Sequence, residues 1–463
     1  MALQSEKLRN DARVQQAKDL LAAALSDAQK EITGVKGPDK KLKETYSQWL
    51  ERCGEARGAN TYYKYLGSGL GNGPLVELAD GSVKYDFITG IGVHYFGHCH
   101  ESIMLSGVNA ALSDTVMQGH LQQNCDQVLL MESFLNLVKK NGALLNHCFL
   151  TSSGATANEN ALKIIFQKNH PANRMLAFKK CFAGRTLALA QMTDKAAYRD
   201  GIPRGMDVDY LPFYDEKDHK GSIERAVQVL NSHIERFPGA YAGMCFELIQ
   251  GEGGYFPGNR EFFIEIIKVL KANNIAVWID EVQTFGRTDE AFAFQHFALD
   301  EFVDVVTVGK MSQVCATLYR SSYKPRPGLV SQTFTSSTAA IRASLVILEE
   351  LRHGGLCGKN GRIVQLHECF KSELVKLAEK FPGQFLGPYG MGGMCAFTVF
   401  DGDLMKTKDF AARLFDAGVI SFIAGKNPTR IRFLPPVMAV EESHVLEVSA
   451  ILEEVMKNYS EGE

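Results

Sequence analysis

The sequence predicts an α/β protein: a mostly parallel central sheet with helices on both faces, plus a smaller C-terminal α/β domain. Two observations carry that expectation. Between about residues 105 and 335, short apolar runs at 147–150, 174–178, 242–249, 275–279 and 303–308 alternate with amphipathic stretches at 158–168, 222–236 and 260–273. Strand–helix alternation of this kind favours a parallel sheet covered on both sides. In addition, two of the runs end in reactive side chains. Asp280 closes Ile275-Ala276-Val277-Trp278-Ile279, and Lys310 follows Gly309 after the run ending at Val308. Ligands of such sheets bind beyond the carboxyl ends of the strands, where both residues fall.

The other elements follow in chain order. Residues 1 to about 45 are rich in Ala, Lys, Glu, Asp and Gln at helical spacing, and Gly34, Gly37 and Pro38 end the stretch. It reads as one or two solvent-facing helices, or as an arm that packs on another subunit. A short helix over 42–51 precedes a Gly/Tyr-rich loop at 58–73, which holds Tyr62, Tyr63 and Tyr65. Val76-Glu77-Leu78 and Val83-Lys84-Tyr85-Asp86-Phe87 flank Asp80-Gly81, a hairpin signature. A long helix over 338–352 leads into a strand at 394–400 and helices at 408–416 and 441–458. The expected division is an N-terminal helical segment and loop (1–70), a large domain (71–337) and a small domain (338–463).

Composition narrows the function classes. The chain has 463 residues, 45% hydrophobic and 22% charged, with a formal net charge of −3. That is ordinary for a soluble globular protein and gives no sign of nucleic-acid binding. No apolar run approaches the roughly 18 residues of a membrane span. The apolar run at 20–25 is too short for a secretory signal, and charges flank it. The ten cysteines are scattered without a C-x-x-C pair, which fits reduced thiols in the cytoplasm. His98-Cys99-His100 has no partner cluster at ligand spacing, so no metal is expected. The glycine rhythm of 67–73 follows tyrosines and opens no helix, unlike a dinucleotide fingerprint.

A lysine and an acid at the ends of two neighbouring strands suit pyridoxal 5′-phosphate (PLP). The lysine holds the cofactor as a Schiff base. The acid keeps the ring nitrogen protonated, so that the ring drains electrons from a carbanion. Leu150-Thr151-Ser152-Ser153-Gly154-Ala155-Thr156 joins a strand to a helix beginning near Asn158, and its small residues would let backbone N–H groups approach a phosphate. The same residues also suit a plain helix cap. In Cys181-Phe182-Ala183-Gly184-Arg185-Thr186 an aromatic ring could stack on a flat cofactor and Arg185 could clamp a carboxylate, or the arginine is a surface residue. Glu247 sits between an apolar strand and Gly251, Gly253 and Gly254, as an active-site carboxylate or a solvated loop acid. Arg430 and Arg432 share a strand face, turned to an acidic substrate or, on an edge strand, to water.

Taken in order, these motifs resemble the class III PLP-dependent aminotransferases, which include ornithine, acetylornithine, 4-aminobutyrate and lysine ε-aminotransferases. The similarity runs from about residue 70 to 440. Gly97-His98-Cys99-His100 matches the family's Gly-His-x-His. Ser153-Gly154-Ala155-Thr156-Ala157-Asn158-Glu159 looks like its Ser-Gly-Ala-Glu-Ala-Asn-Glu turn, and Phe182-Ala183-Gly184-Arg185-Thr186 looks like Phe-His-Gly-Arg-Thr. Residues 247–254 are similar to Glu-Pro-Ile-Gln-Gly-Glu-Gly-Gly, and Asp280-Glu281-Val282-Gln283-Thr284 is identical to a common family form. The resemblance implies a PLP-dependent fold type I transferase. Lys310 would bind PLP and shuttle the proton, and Asp280 would pair with the pyridinium nitrogen. Gln283 would bond the phenolic oxygen, Phe182 would stack on the ring, and Ser153, Gly154 and Ala155 would cradle the phosphate. Thr333 would reach the phosphate of a neighbouring subunit, which implies a homodimer with shared sites; the sequence does not say whether dimers pair into tetramers. Arg185 and Arg432 would bind the carboxylates of 2-oxoglutarate or glutamate, with Glu247 masking Arg432 while an ω-amine donor is bound.

The chain departs from the family pattern in three places. Thr335-Ser336-Ser337-Thr338 replaces Gly-Gly-Asn-Pro, Ala183 replaces histidine, and Met311-Ser312-Gln313-Val314-Cys315 follows the lysine. That last run, with Gly393-Met394-Cys395-Ala396-Phe397, is closer to lysine ε-aminotransferases. The expected reaction moves a terminal amino group from L-lysine, then ornithine or acetylornithine in order of preference, to 2-oxoglutarate. A PLP-dependent aminomutase, epimerase or decarboxylase on the same scaffold is the alternative. A nicotinamide oxidoreductase or a binding protein has only the 67–73 glycine run in its favour.

Overall fold

The computed structural model describes residues 3–113, 117–119 and 121–460. It groups them into two compact units, residues 115–364 with 390–392, and residues 1–114 with 365–389 and 393–463. The first unit is built on a seven-stranded sheet in the order Leu145–Thr151, Cys315–Arg320, Val305–Val308, Ala276–Glu281, Tyr241–Phe246, Arg174–Phe178 and Asp207–Leu211. Neighbours pair in parallel except at Cys315–Arg320, which runs antiparallel to both of its partners. The sheet is therefore mostly parallel, as expected, with one reversed strand inside it. Sequence reading passed over two of the strands. Asp207-Val208-Asp209-Tyr210-Leu211 is a half-buried edge strand carrying acids, and Cys315–Arg320 lacks the continuous apolar run of its neighbours.

The helices obey the apolar period. Arg260–Ala272 buries Phe262, Phe263, Ile266, Ile267 and Leu270, spaced three and four apart, and Asn259 caps its start by accepting from the Glu261 amide at 2.9 Å. Phe262 and Phe263 join Phe178 and Phe246 in an edge-to-face and tilted cluster, with Phe178 at 5.4 Å from Phe246 and 5.6 Å from Phe262. Gly154–Lys168 begins four residues before its expected start, because Ser153 rather than a later residue is its cap. Trp278, fully buried, ties adjacent strands by donating Nε1–H to Thr307 Oγ1 at 3.1 Å.

In the second unit the hairpin forms as read. Leu75–Leu78 pairs antiparallel with Val83–Asp86, with Val76 opposite Lys84. Gly67–Asn72 is a third strand of this sheet rather than loop, and it opens no helix. Val83–Asp86 also pairs in parallel with Val419–Ile420. Residues 3–113 group with 365–389 and 393–460 in this unit. In another sheet Arg430–Phe433 lies between Met394–Val399 and Phe422–Ala424, an interior position, and Arg430 and Arg432 are buried. The edge-strand reading of these arginines is thereby set aside.

Phe178→Ala should cost about 3–5 kcal/mol in urea unfolding, because it empties the centre of the aromatic cluster. Lys268→Ala, which removes only an exposed ion pair with Glu265, should cost less than about 0.5 kcal/mol.

Candidate active site

The strand register creates the site. Asp280 pairs with Thr307 on the neighbouring parallel strand, so the chain just beyond Thr307 delivers Lys310 to the same end of the sheet. Lys310 takes a left-handed backbone conformation (φ 53°) and begins the tight turn Lys310–Ser312. Such a conformation is costly for a side-chain-bearing residue and is held by its surroundings. Those surroundings are close. A Cβ on Gly309 would stand 3.0 Å from Cys315 Sγ, 3.3 Å from Val282 Cγ1 and 3.6 Å from Gly154 Cα, and a Cβ on Gly154 would stand 2.8 Å from Val282 Cγ1. The glycines let the turn before Gly154–Lys168, the Val282 loop and the lysine loop touch.

The helix start is prepared for an anion. Ser153 Oγ accepts from the Thr156 amide at 3.1 Å, and Thr156 Oγ1 accepts from the Ser153 amide at 3.2 Å. This reciprocal box leaves the first-turn amides of Gly154 and Ala155 without intrahelical acceptors. Thr151 Oγ1 bonds Thr156 Oγ1 at 2.6 Å and donates to Gln332 Oε1 at 2.7 Å, which sets the segment carrying Thr333 beside the turn. A Cβ on Gly119 would fall 2.0 Å from the Thr333 carbonyl oxygen, and Met117–Gln118 pairs with Ser336–Ser337.

Asp280 is buried. Its Oδ1 accepts from the Val282 amide at 2.9 Å, and its Oδ2 accepts from Asn158 Nδ2 at 2.7 Å. Burial pushes its carboxyl up to about 6, against the pull of these two donors and of the Lys310 charge. Asn158 Nδ2 also donates to the Ala183 carbonyl at 2.7 Å. One amide thus joins the acid to the loop that follows Phe182. Sequence reading quoted Asn158 inside a motif and gave it no role. The available signal was a polar residue on the face shared with Ala161, Leu162 and Ile165, all buried.

Glu247 is buried too. Its Oε2 accepts from the Phe182 amide at 2.7 Å and its Oε1 from the Gly251 amide at 3.1 Å, so both carboxylate oxygens anchor loops of its own unit. Burial, then the Asp280 charge, push its carboxyl up to about 8. Gln283 fills the space over Gly251, where a Cβ would meet its Oε1 at 2.5 Å. The Phe182 ring meets the Tyr198 ring edge-on at 6.4 Å, and exposed Arg185 donates Nη2–H to the Tyr198 hydroxyl at 3.0 Å. Ser153, Gly154, Ala155, Phe182, Arg185, Glu247, Asp280, Gln283, Lys310 and Thr333 all belong to one unit. Arg432 belongs to the other, where its guanidinium lies 5.3 Å from the Phe422 ring centroid.

The profile of the family described as aminotransferase class-III matches residues 66–456. The chain belongs to the class III aminotransferases. Among its relatives, acetylornithine aminotransferase of Bacillus subtilis is 30% identical over 441 residues, covering 90% of this chain and 98% of that protein. A probable 4-aminobutyrate aminotransferase of the same organism is 27% identical over 442 residues, covering 88% and 97%. The fold is shared with lysine aminotransferase of Mycobacterium tuberculosis (TM-score 0.77, 23% identity, 88% and 99% covered) and ornithine aminotransferase of Toxoplasma gondii (TM-score 0.76, 20% identity, 89% and 95% covered).

Class III aminotransferases depend on PLP, and the residues present fit it. They comprise an amine, a buried acid with one side-chain and one backbone donor, and a helix start with two amides to spare. Among the described residues no group of three or more His, Cys, Asp and Glu is placed to hold a metal ion, and no helix is long and apolar enough to cross a membrane.

Asn158→Leu should cost about 2–3 kcal/mol in urea unfolding, since it strips buried Asp280 and the Ala183 carbonyl of a partner. It should also weaken PLP retention, measured by equilibrium dialysis, at least about tenfold. Asp280, Glu281 and Glu247 are all raised by burial, to about 6, 7 and 8. The folded state therefore binds their protons more tightly than the unfolded state does. Their contribution is full below the unfolded values of 3.8 and 4.5 and is lost as pH rises through 6 to 8. The urea midpoint of the PLP-free protein should fall between about pH 5 and 8, with a shallower fall in Glu247→Gln.

Proposed function

We propose that this aminotransferase moves a terminal amino group from a diamino or ω-amino acid to 2-oxoglutarate, giving an aldehyde and glutamate. L-Lysine is the first donor to test, with ornithine and acetylornithine next. The observation that carries the reading is the convergence of Lys310, Asp280 and the Gly154–Ala155 amides at one end of one sheet. The relatives named for acetylornithine, 4-aminobutyrate and lysine, and the Gln313-Val314-Cys315 run, support the donor class.

Bound PLP supplies an aldehyde reactive toward amines and a ring that draws electrons from the adjoining carbon. Lys310 Nζ would hold PLP at rest and, when free, would be the base that takes a proton from the ω-carbon of the donor. Asp280 would hold the proton on the ring nitrogen. Gly154 and Ala155 would present their amides to the phosphate, with Ser153 fixing the turn. Phe182 would cover the ring, and Gln283 would bond its phenolic oxygen. Arg185 takes a substrate carboxylate, and the family resemblance gives Arg432 a like task. Thr333 serves a phosphate in a neighbouring copy of the chain, so the working unit is a homodimer. The ten unpaired cysteines fit a reducing, cytoplasmic setting.

Holoenzyme incubated with each donor and 2-oxoglutarate should form glutamate, at least about a thousandfold more slowly in Lys310→Ala. Glutamate from no ω-amino donor, together with an isomerised or decarboxylated amino acid, would replace this reading with the mutase, epimerase or decarboxylase class.

A further inference from the structure

Arg185 does not stand alone. Its guanidinium carbon lies 4.1 Å from the centroid of the Tyr198 ring, and its Nη2 donates to the Tyr198 hydroxyl at 3.0 Å. Lys195 does the same from the other side of the short turn Ala196–Tyr198. Its Nζ donates to the same hydroxyl at 3.0 Å and lies 4.5 Å from the same ring centroid. The two cationic nitrogens are thus separated by no more than twice that bond length. Like charges so close repel, and cation–π attraction to one ring offsets that only in part.

No acid relieves the pair. Among the described residues neither Arg185 nor Lys195 has a carboxylate within ion-pair distance. Asp194, next to Lys195, accepts from the Lys180 amide at 2.8 Å through Oδ2, Glu159 accepts the Thr186 hydroxyl, and exposed Asp200 forms no ion pair with either cation among the described residues. The third nearby cation, Arg199, turns away to the carbonyls of Gln191 and Thr193 and to the Tyr210 hydroxyl. A phenol that accepts two N–H bonds keeps its own O–H free to donate. Two cations and one hydroxyl therefore present a set of donors that lacks an anion, and Tyr198 rests edge-on against Phe182 at the side of the reaction site.

We propose that Lys195 is a second carboxylate-binding cation and Tyr198 its positioning residue, so that the far-end carboxylate of both the amine donor and the 2-oxo acid is held by two charges. The inference rests on the reading of the enzyme as an ω-aminotransferase and adds a binding residue to it. Because the same group would grip both substrates equally in ground and transition states, its loss belongs in KM rather than kcat.

The test uses holoenzyme. In Lys195→Met, KM for the ω-amino donor and for 2-oxoglutarate should each rise about five- to tenfold while kcat stays within about twofold. Calorimetric binding of glutarate, a dicarboxylate that cannot react, should weaken by about the same factor and lose part of its salt dependence. Lys195→Arg should restore binding, and Tyr198→Phe, which keeps the ring but removes the hydroxyl, should weaken it. Butane-1,4-diamine, an amine without a carboxylate, should convert the holoenzyme in a single turnover without 2-oxoglutarate at the same apparent affinity in Lys195→Met as in the wild type. Unaltered KM values and glutarate affinity in Lys195→Met would overturn the proposal, as would an equal loss with the diamine. If the wild-type enzyme makes no glutamate from any donor, the ω-aminotransferase reading falls instead, and glutarate binding still decides the role of Lys195.

Discussion

A carboxylate must be kept ionisable inside a protein core, and the site is arranged around that demand at Asp280. Taking a carboxylate out of water is costly, and its two donors here, the Val282 amide and Asn158, offset only part of the cost. The remainder shows as a raised proton affinity. A cationic ring nitrogen set against the same oxygens would supply what is missing, so the acid is under-compensated until its partner arrives. Asn158 gives that arrangement mechanical consequence, because the amide that restrains Asp280 also holds the Ala183 carbonyl. The floor of the site and the loop bearing Phe182 are fixed by one side chain.

Glu247 extends the same logic. It bridges the Phe182 and Gly251 amides, so the aromatic loop is fastened from two directions, by Asn158 and by Glu247. Burial raises its proton affinity, and the nearby Asp280 charge adds to that. Directly beside Asp280, Glu281 is also buried, accepting from the Phe294 amide at 2.9 Å. Three acids crowd one end of the sheet, each held by backbone-amide, side-chain-amide or hydroxyl donors. Such a cluster destabilises the PLP-free protein at neutral pH and creates a field that favours a positive group nearby.

Much of this could be read from the chain. Asp280 and Lys310 were legible because each follows a Val/Ile-rich run, and the parallel register then brings them together. The Gly154 turn was legible because small residues precede an amphipathic stretch. What escaped did so for physical reasons. Asn158 matters through a partner 122 positions away in sequence, and no local pattern encodes that bond. Cys315–Arg320 escaped because its apolar residues are broken by Thr317 and closed by Arg320, so no continuous apolar run marks it. The 362–380 helix lacked a clear start signal, and the 67–72 strand was masked by its glycines.

The distribution of charge inside the sheet-bearing unit finally bears on what kind of molecule the site suits. Buried acids gather at the strand ends around Asp280, whereas Arg185 and Lys195 gather on Tyr198 beside the outer edge of Phe182. An ω-amino acid has its charges at opposite ends, an amine at one and a carboxylate at the other. Its carboxylate would complete the exposed Arg185–Lys195 pair, whereas Asp280 would take its counter-charge from the ring nitrogen of bound PLP and ask nothing of the substrate, so in this arrangement the carboxylate end rather than the amine end would decide which donors fit.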